Sequence, residues 1–166
     1  MPTNPLTAIV KKAFDDACCD FSVGVAERGF TRTKTRLWVR LNDSTIDVIS
    51  LFRAGSSYGA PIGGTLDIRL SSSGRLFNDM TEYLALNGPQ SDIARTRDGK
   101  YHLRFNAKSR HMYERCITDL IRFLDSECEP WFADLRLKNP STPDTILVPS
   151  AESRKLLGLD RILDSR

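Results

Sequence analysis

Two segments of this 166-residue chain carry residue types that could form a catalytic or ligand-binding site. The first, from Gly55 to Gly59, reads Gly-Ser-Ser-Tyr-Gly and matches the G-x-S-x-G pattern of a hydrolase nucleophile elbow. That pattern requires a sharp strand-to-helix turn, which presents the serine beside an oxyanion hole. Here Ala-Pro-Ile-Gly-Gly follows, and this is a poor start for a helix. The segment is therefore predicted to be a flexible loop between strands.

The same loop is rich in glycine, at positions 55, 59, 63 and 64, and backbone amides there could cradle a phosphate. The spacing fits neither the Walker pattern nor the dinucleotide fingerprint. His102 and His111 could each act as a base near neutral pH, although neither has an evident partner in the sequence. An enzyme or binding protein for a small anionic, phosphorylated ligand in the Ser56–Gly64 loop, using His102 or an arginine, is thus one alternative.

The second segment, between Gly29 and Leu70, alternates apolar and basic residues. Leu37, Val39 and Leu41 occupy odd positions, and a strand sends successive side chains to opposite faces. The residues at even positions, together with basic residues of other strands, predict one open, basic sheet face with a single tryptophan. Its candidate partner-binding residues are Arg32, Lys34, Arg36, Trp38, Arg40, Arg53, Arg69 and Arg104.

Charge is distributed unevenly along the chain, whose formal net charge is +3. Residues 28–110 contain 14 Lys and Arg against 7 Asp and Glu, whereas the flanks are acidic. A basic sheet face could bind an acidic protein surface or, less favoured, a single-stranded nucleic acid. It could also be an ordinary solvated face without a partner.

Four cysteines, no CxxC spacing and only two histidines predict buried free thiols and no metal site. No apolar run is long enough to span a bilayer, and the N-terminus lacks the pattern of a signal peptide. A cytoplasmic location without membrane association, and no cofactor, are the resulting expectations.

Hydrophobic periodicity and turn residues predict the elements. We expect a helix after Asn4-Pro5, with Leu6, Val10, Phe14, Ala17, Phe21 and Val25 as its apolar stripe and Gly29 as its end. The other expected elements are strands at 35–42, 45–53 and 65–71, a short helix at 75–86, a hairpin of 92–97 and 100–106 around Asp98-Gly99, a helix at 109–126, and a second helical segment from Pro130 to Leu137.

These elements predict an α+β fold, with one antiparallel sheet of about five strands. The N-terminal helix and a C-terminal helical segment are expected to pack on one face of it. Residues 1–137 are predicted to form a single domain. Residues 138–166 are predicted to be a proline-rich loop and a short helix, capped by Ser150 and ended by Gly158, that pack on the same domain.

The order of a first helix, Gly29-Phe30, the Trp38 strand and the Asp47-Val48-Ile49-Ser50-Leu51 strand resembles the bacterial domain-of-unknown-function family 4304. The resemblance covers most of Ile9 to Leu135 and implies a long first helix, a meander of strands and a helical part near Trp131-Phe132. It implies no catalytic residues. The favoured hypothesis is a non-enzymatic interaction module that binds a protein or another anionic partner through the basic sheet face.

Overall fold

An antiparallel sheet of six strands is the central layer of the protein. The computed structural model describes residues 5–53, 64–78, 81–91, 99–140 and 148–164. The strands are β1 (Thr31–Lys34), β2 (Leu37–Leu41), β3 (Thr45–Arg53), β4 (Thr65–Asn78), β5 (Thr81–Gln90) and β6 (Arg104–Asn106). Their order is β1-β2-β3-β4-β5, and β6 pairs with the first residues of β4, beyond the stretch that pairs with β5.

Helices flank this sheet, and the fold is α+β as predicted. They are α1 (Pro5–Ala26), α2 (Tyr113–Phe123), α3 (Glu129–Lys138), α4 (Ala151–Leu157) and α5 (Asp160–Leu163). A π-helical turn, Leu124–Cys128, joins α2 to α3. Among the described residues, no helix is long and apolar enough to cross a membrane.

Helix α1 forms as its sequence predicts, because its apolar residues recur every three or four positions. Val10, Phe14, Phe21 and Val25 are each fully buried against the sheet and α2. Gly29 follows with φ +84°, a left-handed conformation that suits glycine at the end of a helix.

Both faces of the sheet carry a hydrophobic cluster. The larger one joins α1, α2 and α3 to the face that bears Trp38, Ile49 and Leu51. The smaller one packs Leu157 and Leu159, at and just after the end of α4, on the other face. There they cover Val39, Ile46 and Val48. The odd positions of β2 therefore face a hydrophobic cluster as predicted, with Val39 buried and Leu37 and Leu41 partly buried, but the cover comes from the short C-terminal helices.

The helix predicted at 75–86 is wrong. Residues 75–78 belong to β4 and residues 81–86 to β5, and Leu76 pairs with both Thr45 and Leu84. Pairing with β3 on one side and β5 on the other outweighs the weak local helical pattern. Residues 35 and 36 form a turn, and the chain before them adds the strand β1. The first strand of the predicted hairpin lies outside the described residues.

The predicted helix at 109–126 begins later and ends differently. It starts at Tyr113, and the π-turn and α3 extend it without interruption to Lys138. Pro130 lies in the first turn of α3, where a missing N–H costs nothing. Two helical segments form as predicted, but the π-turn at Leu124–Cys128 divides them, and Pro130 does not break the helix.

Helix α3 lies very close to the sheet at two glycines. A Cβ atom added to Gly88 would come within 2.7 Å of the Trp131 ring and 2.6 Å of Ser72 Oγ. At Gly74 it would come within 2.5 Å of Leu135 Cδ2. The absence of side chains at these points lets Trp131 and Leu135 pack directly on β4 and β5.

We therefore expect Gly88→Ala to lower the free energy of unfolding by about 1–3 kcal/mol, because the rigid indole must move. Urea unfolding measures this loss. The same substitution in a Trp131→Ala background should cost much less, since the ring is gone. An equal loss in both backgrounds would contradict the close packing.

Three of the four cysteines are buried, as predicted, and Cys19 is exposed. Burial raises the pKa of the Cys18 thiol to about 11, despite the nearby Arg32 and Arg36, and this further slows its reaction. Iodoacetamide at neutral pH should therefore add a single adduct to the folded protein, measurable by intact mass. Cys19→Ser should then give none, and rapid labelling of Cys116 or Cys128 would contradict the structure.

Candidate functional site

Trp38 lies in the centre of the main hydrophobic cluster and has no exposed surface. Its indole N–H donates to Ser22 Oγ at 2.8 Å, and its ring meets Phe21 edge-on at 4.9 Å between centroids. The prediction that Trp38 stands on an open sheet face is therefore wrong. The helical layer covers the even positions of β2, so the opening strands do not form one exposed basic surface.

Arg40 also points into the helical layer. Its guanidinium carbon lies 4.4 Å from the Phe30 ring centroid and 5.6 Å from that of Phe132. Two nitrogens bind Glu129 of α3 at 2.9 and 3.0 Å, and Nε donates to Asp47 at 2.8 Å. Such bidentate pairing fixes the geometry of both partners.

Asp47 is the fully buried centre of this group. Its Oδ2 accepts from Arg40, from Asn42 at 3.0 Å and from Arg136 of α3 at 2.9 Å. Burial raises the pKa of the Asp47 carboxyl, although these donors act in the opposite direction. We call Arg40, Asp47, Glu129 and Arg136 the ion-pair cluster, and its role is to join α3 to β2 and β3.

Four further residues of the predicted partner-binding set do not form one surface. Arg32 lies 5.5 Å from the Trp38 ring and Arg36 lies 4.4 Å from the Phe14 ring, so both cover the α1 side. Lys34 is exposed. Arg53 is half-buried, and its register opposite Ile68 puts it on the helix-facing side. The structure does not bring these residues together.

Arg69 and Arg104 lie on the opposite face of the sheet, where they are joined by one carboxylate. Asp67 Oδ2 accepts from Arg69 Nη2 and from Arg104 Nη2, both at 3.1 Å. Arg69 and Asp67 are buried, whereas the Arg104 side chain is 64% exposed. The carboxylate thus holds a buried arginine and an exposed one in fixed positions.

Phe52 stands on the same face and is 40% exposed. It pairs directly with Arg69 across β3 and β4, and Ser50 pairs with Ser71 two residues further along. We call this group the Phe52 patch. Its members are Ser50, Phe52, Asp67, Arg69, Ser71 and Arg104.

The outer edge of β6, next to the Phe52 patch, is occupied by other groups of the chain. The backbone N–H of His102 donates to the buried Asp119 carboxylate at 2.7 Å. The N–H of Asn106 donates to the carbonyl oxygen of His111 at 3.1 Å. The two histidines therefore contribute backbone groups that occupy part of this edge, and a catalytic role for either stays an untested alternative.

A cavity of about 590 Å³ opens between α1 and the start of α2, lined by Asp20, Arg110, Met112, Tyr113, Glu114 and Arg115. Arg110 lies over the Tyr113 ring, whose hydroxyl donates to Asp20. Burial raises the pKa of the Tyr113 phenol, and the Asp20 carboxylate adds to this effect. The lining carries two cationic and two acidic side chains, so its charge favours neither an anionic nor a cationic ligand.

The loop motif singled out in the sequence, residues 55–63, lies outside the described residues. Within the described residues, no group of three or more His, Cys, Asp and Glu side chains could hold a metal ion.

Comparisons with protein-family models, with curated proteins and with solved structures found no match to this chain. The resemblance to the family 4304 therefore stays a prediction. The geometry of the Phe52 patch is the main guide to function.

Sequence analysis found Arg69 and Arg104 but missed Phe52 and Asp67. The strand predicted at 45–53 has apolar residues at both odd and even positions, so the pattern does not indicate which of them is exposed. The alternation of Asp67 and Arg69 between Leu66, Ile68 and Leu70 was the available signal, since it places both charges on one face.

We expect Asp47→Ala to destabilise the protein by about 3–5 kcal/mol, because two partly buried arginines lose their shared carboxylate. Denaturant unfolding measures this. The matched control is Asp134→Ala, which breaks an exposed pair with Lys138 and should cost at most about 1 kcal/mol. Equal effects of the two substitutions would show that the cluster does not stabilise the attachment of α3.

Proposed function

We propose that this protein is a non-enzymatic binding module that captures an anionic partner at the Phe52 patch. The observation that supports this most directly is the Arg69–Asp67–Arg104 arrangement beside a part-exposed aromatic ring. A module that binds a protein or another anionic partner through a sheet face was the favoured hypothesis from the sequence. The proposed surface now lies on the other face of the sheet and uses two of the eight candidates.

The exposed cation of the patch favours an anion. The Arg104 side chain is 64% exposed and carries a positive charge at the surface beside Phe52. One nitrogen of Arg104 is bound to Asp67, and this limits the motion of a side chain that otherwise faces solvent. A guanidinium with remaining N–H donors suits phosphate or carboxylate oxygens, which it can bind in pairs.

Preorganisation supports the same proposal. The Asp67 and Arg69 side chains are hydrogen-bonded to each other, and Arg69 Nη1 also lies 3.5 Å from the carbonyl oxygen of Ser91. Less side-chain entropy is then lost when a partner binds. Arg104 can be removed without leaving Asp67 unpaired, because Arg69 still donates to it.

Retention on immobilised heparin, used as a generic polyanion, tests this proposal. Arg104→Ala should elute at lower salt, with an affinity reduced about three- to tenfold, because one charge-assisted contact is lost. The matched control is Arg115→Ala, which removes an arginine of similar exposure from α2 and should have a smaller effect. Equal shifts for the two variants would leave only a net-charge effect and contradict the proposed site.

A further inference from the structure

We infer that the anionic partner is a single-stranded nucleic acid, with a base stacked on Phe52 and a neighbouring phosphate bound by Arg104. This inference rests on the proposed function and goes further, because it names the chemistry of the partner.

Phe52 offers part of an aromatic ring to a planar group, since the residue is 40% exposed. Side chains stand roughly perpendicular to a sheet, so a ring is flanked by the residues two positions away and by those across the strands. Among the described residues, these neighbours include Ser50 and Ser71, which are short, and Arg69, which is bound to Asp67. A base could stack on the exposed part of the ring, and every base has a π-face.

The distance between Phe52 and Arg104 suits one nucleotide and its phosphate. The two residues lie on β3 and β6, on either side of β4. Strands are spaced about 4.8 Å apart, so the two backbones are about 10 Å apart across the sheet. Phe52 is level with Arg69 and Arg104 with Asp67, and this two-residue offset adds about 7 Å along the strands, for a separation of about 12 Å. The long Arg104 side chain shortens the gap, and its exposed guanidinium reaches a phosphate while the base remains over Phe52.

An acidic peptide fits the same surface less well. Extended peptides commonly bind by adding a strand to a free sheet edge. Beside the patch, the N–H groups of His102, which precedes β6, and of Asn106, the last residue of β6, are already bound to Asp119 and to the His111 carbonyl. An added strand would displace both bonds, so recognition from the face of the sheet, as with stacked bases, is favoured.

The experiment compares two labelled single strands by fluorescence anisotropy in about 50 mM NaCl. One is oligothymidylate, about 12 nucleotides long, a length within the range that one small domain covers. The other is an abasic strand with the same number of phosphates. A polyglutamate peptide of equal charge is the third probe.

We expect the wild-type protein to bind oligothymidylate about fivefold or more tightly than the abasic strand. Phe52→Ala should remove this difference by weakening oligothymidylate binding alone, because only a base can stack. Arg104→Ala should weaken both strands by a similar factor. The control Leu137→Ala, which removes an apolar side chain that is 80% exposed on α3, should change neither.

The outcomes separate the inference from the proposed function. If both strands and polyglutamate bind equally and depend on Arg104 but not on Phe52, the patch binds anions and the nucleic-acid inference is wrong. If no probe shows binding that depends on Arg104, both the nucleic-acid inference and the proposed function are wrong. Circular dichroism melting of each variant verifies that it is folded, and Phe52→Leu replaces Phe52→Ala if the latter unfolds.

Discussion

The attachment of α3 to the sheet depends on the ion-pair cluster around Asp47. Arg40 occupies an aromatic layer between Phe30 and Phe132, where an unpaired guanidinium would be costly. Glu129 on α3 supplies its counter-charge, and Arg136, two turns further along, reaches Asp47. Because desolvation makes a misplaced buried charge expensive, this cluster admits one position of α3 on the sheet. The close contacts at Gly74 and Gly88 follow from that position.

The fold was largely predictable from the sequence, whereas the position of the basic residues was not. Alternation in β2 correctly divides its residues between two faces, but it does not reveal which face meets the main helical layer. Here both faces are covered, the odd one by the short C-terminal helices. Charge marked the even face as exposed, yet Arg40 is bound by Asp47 on the next strand and by Glu129, 89 positions away. A partner as distant as Glu129 cannot be identified before the fold is known.

The strongest periodic signals gave the most accurate predictions. The apolar stripe of α1 and the glycine that ends it needed only local information. Residues 75–86 lacked a clear period, and the strands at 75–78 and 81–86 form because β4 pairs with both β3 and β5. The candidate site was only partly predictable for the same reason. Arg69 and Arg104 are 35 positions apart, and only the pairing of β6 with β4 brings Arg104 to the Asp67 carboxylate.

The π-helical turn fixes the number of residues that the chain can have between α2 and α3. A π-turn contains one residue more than the equivalent α-helical turn, so it rotates the following helix by about 100° relative to an uninterrupted α-helix. In this protein the extra residue aims Glu129 at Arg40, while Glu127 binds Lys100 and Asp125 binds Arg28. Deleting any one residue between Leu124 and Cys128 would turn α3 away from its contacts. Homologues should thus tolerate substitutions in this turn far more readily than insertions or deletions.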